Sequence, residues 1–458
     1  MKFRLTVLIV FSLCLSNVFA DEGMWLLGNL RKNKQTDRVM KELGLQMPVN
    51  KIYDPKKPCL ADAVVSFGGF CSGVVVSEDG LVFTNHHCGF SSIQQHSSVE
   101  HDYLKDGFFA RSLEEELPNP ELYVRFLLRT EDVTKRVLSA ARHAKTETER
   151  RVAVDSIMNV ISMEVSEKDS TLTGIVDAYY AGNEFWLSVY RDYNDVRLVF
   201  APPSSVGKFG WDTDNWMWPR HTGDFSVFRV YAGPDNRPAD YSPENRPYKA
   251  EKFLKISLGG YDEGDFAMIM GFPGSTQRYM TSYEIDRLLE VENPQRIFIR
   301  GERQVILKED MAASAKVRIQ YASKYAQSSN YWKNSIGKSR GIRRLDVKGR
   351  KQEQEAAFTA WAAKNTLPTE GYSNALNLIR ESVEETAPYF ASSQYLSEAI
   401  GRSVEILAPA RLAVSKKGGE LTEALKAFYK DYNMPTDRRV AKRMFRIVGE
   451  NCSRCSPR

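Results

Sequence analysis

The chain has 458 residues, which leaves room for two or three domains. Its 42% hydrophobic and 26% charged residues are those of a globular protein and exclude a disordered or fibrous chain. A net charge of +5, with no acidic or basic half, gives no electrostatic footprint for nucleic acid.

The N-terminus reads as a signal peptide over residues 1–20. Lys2 and Arg4 form a basic start, Leu5–Leu15 an apolar run too short to span a bilayer, and Val18-Phe19-Ala20 a small-residue cleavage site. Cys14 sits inside the apolar run after Leu13, a poor context for lipidation. No second apolar span follows, so export without a membrane span is expected, into an oxidising compartment. Cleavage leaves Cys59, Cys71, Cys88, Cys452 and Cys455, an odd number. Cys71 and Cys88 are assigned to each other and Cys59 is left free. Cys452 and Cys455 have metal or redox spacing, but they lie in a polar tail with no second ligand pair.

Leu26–Leu43 carries mixed polar and apolar residues and stops at Gly44, a helix C-cap signal. Short apolar runs at Ala63–Phe67, Gly73–Val76, Leu81–Phe83 and Leu122–Leu128 predict strands. Val154, Ile157 and Ile161 then fall at helical spacing, which predicts a helical insertion over about 131–164. Strand character returns at Ile175–Tyr180, Phe185–Tyr190, Val196–Phe200, Phe225–Tyr231 and Phe266–Met270. Such a set of strands with turns between them suits a Greek-key barrel. After Gly274 the pattern is helical. Asn293-Pro294 reads as an N-cap followed by proline, and Ser373–Thr386, Thr422–Tyr432 and Asp437–Val448 read as helices, the first two ending ahead of Pro388 and Pro435. The fold class is α+β.

One stretch carries chemistry. Asp79-Gly80 between Gly73–Val76 and Leu81–Phe83 signals a hairpin, whose ends bring Cys71 and Cys88 together. That bridge would tie down the preceding residue, His87, as a general base at a strand end. On an extended chain His86 faces the other way and reads as structural. The competing reading is a zinc cluster of His86, His87, Cys88, His96 and His101, but adjacent residues face apart and Cys88 has Cys71. The acid that orients His87 is assigned to Asp224, which opens an alternating strand, over Asp212 and Asp214 in the preceding loop. Lys338–Lys351 holds seven basic residues without interleaved aromatics and reads as a solvated helix face.

Thr84-Asn85-His86-His87-Cys88-Gly89, followed by Asp214-Asn215-Trp216-Met217-Trp218-Pro219-Arg220-His221-Thr222-Gly223-Asp224, resembles the bacterial dipeptidyl-peptidase 7 and 11 family, serine exopeptidases of the chymotrypsin fold. The resemblance runs to about Ile447 and stops short of where that family normally ends. It implies that Asp224 is the triad acid and that Asn215 and Trp216 hold the free amine of a peptide substrate. Trp211 stands where the family pattern has glycine. A serine nucleophile in this fold needs Gly-x-Ser-Gly, which does not occur; Ser72 and Ser275 are the nearest imitations and read as structural.

The expected architecture is therefore the first barrel of a chymotrypsin-like pair over 21–279, part of a helical capping domain over 280–448, and an aberrant tail at 449–458. The resemblance implies a serine-type dipeptidyl-peptidase acting on oligopeptides, without metal or other cofactor, in the periplasm or at the surface of a Gram-negative bacterium, with full-length relatives forming homodimers. The chain by itself, lacking a nucleophile, is expected to be inactive. The alternative is a non-catalytic protein that binds peptide N-termini.

Overall fold

The computed structural model describes residues 24–30, 34–365 and 371–452. The expected signal peptide, Cys455, the Cys452 side chain and residues 453–458 lie outside the described residues. The strands are β1 Val64–Phe67, β2 Cys71–Val75, β3 Leu81–Thr84, β4 Phe108–Phe109, β5 Leu117–Pro118, β6 Val124–Asp132, β7 Leu172–Tyr179, β8 Glu184–Tyr193, β9 Asp195–Ala201, β10 Ser226–Ala232 and β11 Arg246–Pro247. The helices used below are α1 His86–Gln95, α2 Glu147–Lys168, α3 Asn293–Ala313, α4 Ala315–Arg344, α5 Ala375–Tyr395 and α6 Met434–Cys452. This is a mixed fold of antiparallel sheet and helices, and it divides into two compact units.

The smaller unit gathers the segments up to Ala63, Phe126–Arg191 and Lys255–Met270. β7 pairs antiparallel with β8 from Leu172↔Arg191 to Tyr179↔Glu184. α2 lays Val154, Ile161 and Val165 on Val176, Phe185, Leu187 and Val189 of those strands, the helical spacing expected of the insertion. Thr146 starts α2 by accepting a hydrogen bond from the Glu149 N–H. The expected N-terminal helix is present as Leu27–Leu30 and Lys34–Glu42, and Gly44 follows with a φ of 104°. Phe266–Met270 is not a strand. Phe266 and Met270 pack with Leu30, Met40, Leu45 and Ile52, while Ile269 is fully exposed. Alternation of apolar residues predicted a ladder there, but a ladder also needs a partner edge, and none pairs with it among the described residues.

In the larger unit the pairing path is β4-β9-β10-β3-β2-β1, with β5 on β9 and β11 on β10. Gly68 and Gly69, at φ 62° and 77°, turn the chain between β1 and β2. Gly80, at φ 65°, closes the β2–β3 hairpin as Asp-Gly predicts. Phe67, Val75, Val82, Leu198, Phe228 and Val230 are buried in this sheet, with the Phe67 and Phe228 rings edge to face at 4.8 Å. Full burial of one such side chain contributes about 1.5–3 kcal/mol. The register of β3 with β10 sets Thr84 opposite Ser226. The chain leaving β3 and the chain entering β10 therefore emerge side by side, and the site is built there.

The helical part of this unit starts with a capping box in which the Thr281 side chain accepts from Glu284 N–H and the Glu284 carboxylate accepts from Thr281 N–H. A π-helical turn, Leu288–Glu292, runs directly into α3, so Asn293 is no cap. Its side chain is buried and donates to Ser339 Oγ at 2.9 Å. The helix expected to stop before Pro388 continues through it as α5. α6 likewise continues past Val448 to Cys452, through the Gly449-Glu450-Asn451 that was read as a tail. Ile299, Leu307, Tyr321, Tyr325, Tyr395, Val440, Met444 and Ile447 form the core between these helices.

Candidate active site

β2 begins at Cys71, and β3 ends four residues before Cys88, so the hairpin delivers both sulfurs to one end. They form a disulfide with an S–S distance of 2.01 Å and a Cα–Cα distance of 6.1 Å. Cys59 is buried and unpaired. His87 is not on an extended strand end, as the sequence suggested. It lies in the first turn of α1, which starts abruptly after β3.

Asp224 answers that helix start. Its Oδ1 accepts the backbone N–H of His87 at 3.0 Å, and its Oδ2 meets His87 Nδ1 at 2.7 Å. The carboxylate thus satisfies an N–H that the first turn leaves without an intrahelical partner, where the helix dipole favours negative charge. Asn85 Nδ2 donates to the Asp224 carbonyl at 3.1 Å and to Oδ2 at 3.4 Å. Burial pushes the Asp224 carboxyl upward, but the hydrogen bonds and charge of His87 outweigh it and hold the group below the usual carboxylate range. A carboxylate can only accept, so the Nδ1 of His87 carries a proton, and in the neutral ring it is Nε2 that holds the lone pair. The imidazole is 66% exposed, and Nε2 has no hydrogen-bond partner among the described residues. Asp224 does not open a strand, since β10 begins at Ser226; it is fixed by Gly223, whose N–H donates to Val206 O at 3.0 Å.

His86 points the opposite way, but into the core. It is completely buried, edge to face with Phe90, and neither ring nitrogen finds a partner among the described residues. The backbone of Gly207 packs so closely on its ring that a Cβ there would sit 2.5 Å away. Burial pushes its pKa down to about 4, so the ring is neutral. His96 bonds Asn119 at 3.2 Å and His101 stacks on Tyr103, so the histidines weighed as a zinc cluster are dispersed. Among the described residues, one trio of potential ligands comes close together, Cys71, His87 and Cys88, and both its sulfurs are taken up by the disulfide.

The Trp-rich segment forms a loop closed at its base by Thr222 Oγ1, which donates to Phe209 O at 2.8 Å. Trp211 and Trp216 both have left-handed backbone, at φ 47° and 56°, which side chains rarely adopt. The glycine expected at position 211 would suit that conformation; here a tryptophan bears it. Asp212 accepts from Tyr325 OH at 2.8 Å. At the tip, Asn215 Nδ2 and Trp216 Nε1 donate to Asn330 Oδ1 at 3.1 and 2.8 Å. That leaves Asn215 Oδ1 an acceptor without a donor among the described residues, beside an indole wall and suited to an ammonium. Asn330 was not anticipated. It is one polar residue in the long helix α4, and nothing in its local sequence marks it. Ser72 Oγ accepts from Phe272 N–H at 2.7 Å and Ser275 is exposed in a loop; neither bonds to His87.

A family model described as Peptidase S46 matches residues 20–448. Dipeptidyl-peptidase 7 of Porphyromonas endodontalis is 48% identical over 470 residues, an alignment that covers 100% of this chain and 56% of that protein. Dipeptidyl-peptidase 7 of Phocaeicola vulgatus is 45% identical, with 98% of this chain and 64% of the relative covered. The crystal structure of Porphyromonas endodontalis DPP11 in complex with the dipeptide Arg-Asp superposes with a TM-score of 0.84 at 37% identity, covering 94% of this chain and 64% of that one. The chain thus spans between 56% and 64% of the length of these relatives.

Proposed function

The chain belongs to the peptidase S46 family, and from that premise we propose that it carries the base, the acid and the amine site of a serine-type dipeptidyl-peptidase. The observation that carries the proposal is the His87–Asp224 bond of 2.7 Å beside an open Nε2. His87 Nε2 takes the proton of an attacking serine hydroxyl, and Asp224 fixes the tautomer and stabilises the imidazolium that results. Asn215, Asn330 and Trp216 hold the free ammonium of the substrate. An amine fixed at a set distance from the attacked carbonyl explains why the product is a dipeptide. Relatives named dipeptidyl-peptidase 7 and Asp/Glu-specific dipeptidyl-peptidase support this reading.

The hydroxyl and its oxyanion hole are not supplied by the described residues, where no Gly-x-Ser-Gly occurs and Nε2 has no partner. We therefore read the sheet of the larger unit as the first barrel of a chymotrypsin-like pair, and these 458 residues by themselves as unable to release dipeptides. The Cys71–Cys88 disulfide supports export to an oxidising compartment. A second reading, a protein that binds peptide N-termini without cutting them, is favoured by the same open Nε2.

The test of the amine site is titration calorimetry of the chain with a free-amine tetrapeptide and its N-acetyl twin. Binding of the free form alone, weakened by Asn330→Ala, is the expected result. Equal binding of both forms, or no binding of either, contradicts the assignment.

A further inference from the structure

The disulfide beside His87 hides a set of metal ligands. Cys71 Sγ, Cys88 Sγ and a ring nitrogen of His87 all lie within 4.8 Å of one another. Oxidised, the two sulfurs bind each other. Reduced, they are two thiols facing an imidazole. Cys71 is half-buried where Cys88 is buried, so the sulfur of Cys71 is the one a reductant reaches.

The chemistry of the set selects the ion. Two thiolates and an imidazole suit a borderline-soft cation such as Zn²⁺, whereas Mg²⁺ and Ca²⁺ take oxygen ligands. Zn–S bonds of about 2.3 Å and Zn–N bonds of about 2.0 Å in a tetrahedron place such ligand atoms roughly 3.5–3.8 Å apart. The sulfurs need only part from bonding distance, and rotation of the two side chains closes the rest of the 4.8 Å span. The surroundings favour the ion as well. Asp224 Oδ2 holds His87 Nδ1 at 2.7 Å, which leaves Nε2 to coordinate and supplies the carboxylate that commonly backs a metal-binding imidazole. Cys88 lies in the first turn of α1, where the helix dipole favours negative charge on its sulfur. The imidazole is 66% exposed, so an ion reaches it from solvent and water can fill the fourth position.

We propose that the reduced chain binds Zn²⁺ through Cys71, Cys88 and His87, and that the disulfide is what keeps this site closed. An external dithiol opens it. One of its thiolates attacks Cys71 Sγ and displaces the Cys88 thiolate; the other then frees Cys71 as the reductant closes to its own disulfide. Zn²⁺ takes up both sulfurs as thiolates, releasing the two protons that reduction placed on them. It also takes the Nε2 lone pair. On the reading of His87 as the general base, the metal-loaded chain has no base, and oxidation of the hairpin restores it. Binding of the ion does not depend on that reading.

Co²⁺, whose thiolate complexes absorb in the near ultraviolet, tests the site in the full chain carrying Cys14→Ser, Cys452→Ser and Cys455→Ser, so that no other exposed thiol competes. The chain is reduced with dithiothreitol, desalted without air and titrated. The expected result is a charge-transfer band that saturates at one Co²⁺ per chain, is bleached by Zn²⁺ and is absent from the oxidised chain. Asp224→Asn should weaken binding by about 10–100-fold through loss of the backing carboxylate. Cys71→Ser and His87→Ala should weaken it at least as much. A natively folded, reduced chain without the band overturns the site, and so does a band of unchanged affinity in His87→Ala. Circular dichroism shows whether the reduced chain keeps its fold. If it does not, Zn²⁺ should restore the native spectrum, because binding is then coupled to folding, and failure to restore it overturns the proposal.

Discussion

The Asp224 carboxylate holds two atoms of His87 at once, the backbone N–H through Oδ1 and the ring Nδ1 through Oδ2. One contact fixes where the helix starts and the other fixes which way the imidazole faces. Asp224→Asn keeps the shape but offers an amide that can donate, so Nδ1 need no longer carry the proton. The ¹⁵N shifts of His87, assigned by comparison with His87→Gln, should show the Nδ1–H tautomer in the parent chain and a shift toward Nε2–H in Asp224→Asn. An unchanged tautomer in the variant would mean that Asp224 does not control the ring.

His86 predicts an acid limb of stability. Its pKa falls from histidine's ordinary 6.5 to about 4 in the folded chain because burial penalises the charged ring. Between those values the unfolded chain binds more protons, so the contribution is fully present above about pH 6.5 and is lost as pH falls toward 4. The drop is worth about 3 kcal/mol. Urea unfolding of the parent and His86→Phe between pH 4 and 7 should show a shallower slope in the variant. A parallel pair of curves would refute the buried neutral histidine.

The Cys71–Cys88 bridge closes a loop of 17 residues. Chain-entropy arguments assign such a loop about 3 kcal/mol of stability. Peptide mapping without reduction should recover the two peptides linked, and Cys71→Ser with Cys88→Ser should lower the unfolding free energy by about that amount. Free thiols at both positions in protein purified without reductant would contradict the pairing.

Glu398 is the counter-ion of Arg300, both buried, with a contact of 2.8 Å between them. Burial lowers the Arg300 pKa, so the pair sits in a poorly solvated place. Removing one partner of such a pair typically costs about 3–5 kcal/mol. Glu398→Ala should lose stability on that scale in urea, whereas Arg38→Ala, which removes the exposed pair with Glu42, should change it by less than about 1 kcal/mol. Equal effects would show that the helical core does not isolate the ion pair from water.

Much of the site could be read from the chain because its signals are local. Cys71 and Asp79-Gly80 lie in one hairpin and His87 and Cys88 follow directly on it, and turn chemistry fixes a hairpin. Asp224 was legible because it sits just ahead of a strand that alternates cleanly. The sequence misplaced the backbone around His87 because strand and helix meet there without an intervening turn, and Asn85 caps nothing with its side chain. Asn330 could not be read, since its partners Asn215 and Trp216 lie 115 and 114 residues away. The helix boundaries at Asn293 and Pro388 were misjudged for another reason. Tertiary packing around Ile299 and Tyr395 keeps those helices going where local signals alone would end them.

The most direct measurement is dipeptide release from a fluorogenic dipeptidyl substrate, by the chain alone and after mixing with a separately expressed segment that supplies the matching Gly-x-Ser-Gly region of a relative. Silence alone, turnover on mixing, and a loss of about 10³-fold or more in His87→Ala are the predicted results, since removing a triad member leaves only the residual catalysis of binding and the oxyanion hole. Turnover by the chain alone that disappears in His87→Ala would contradict the missing hydroxyl. Turnover on mixing that survives His87→Ala would contradict the assignment of His87 as the base.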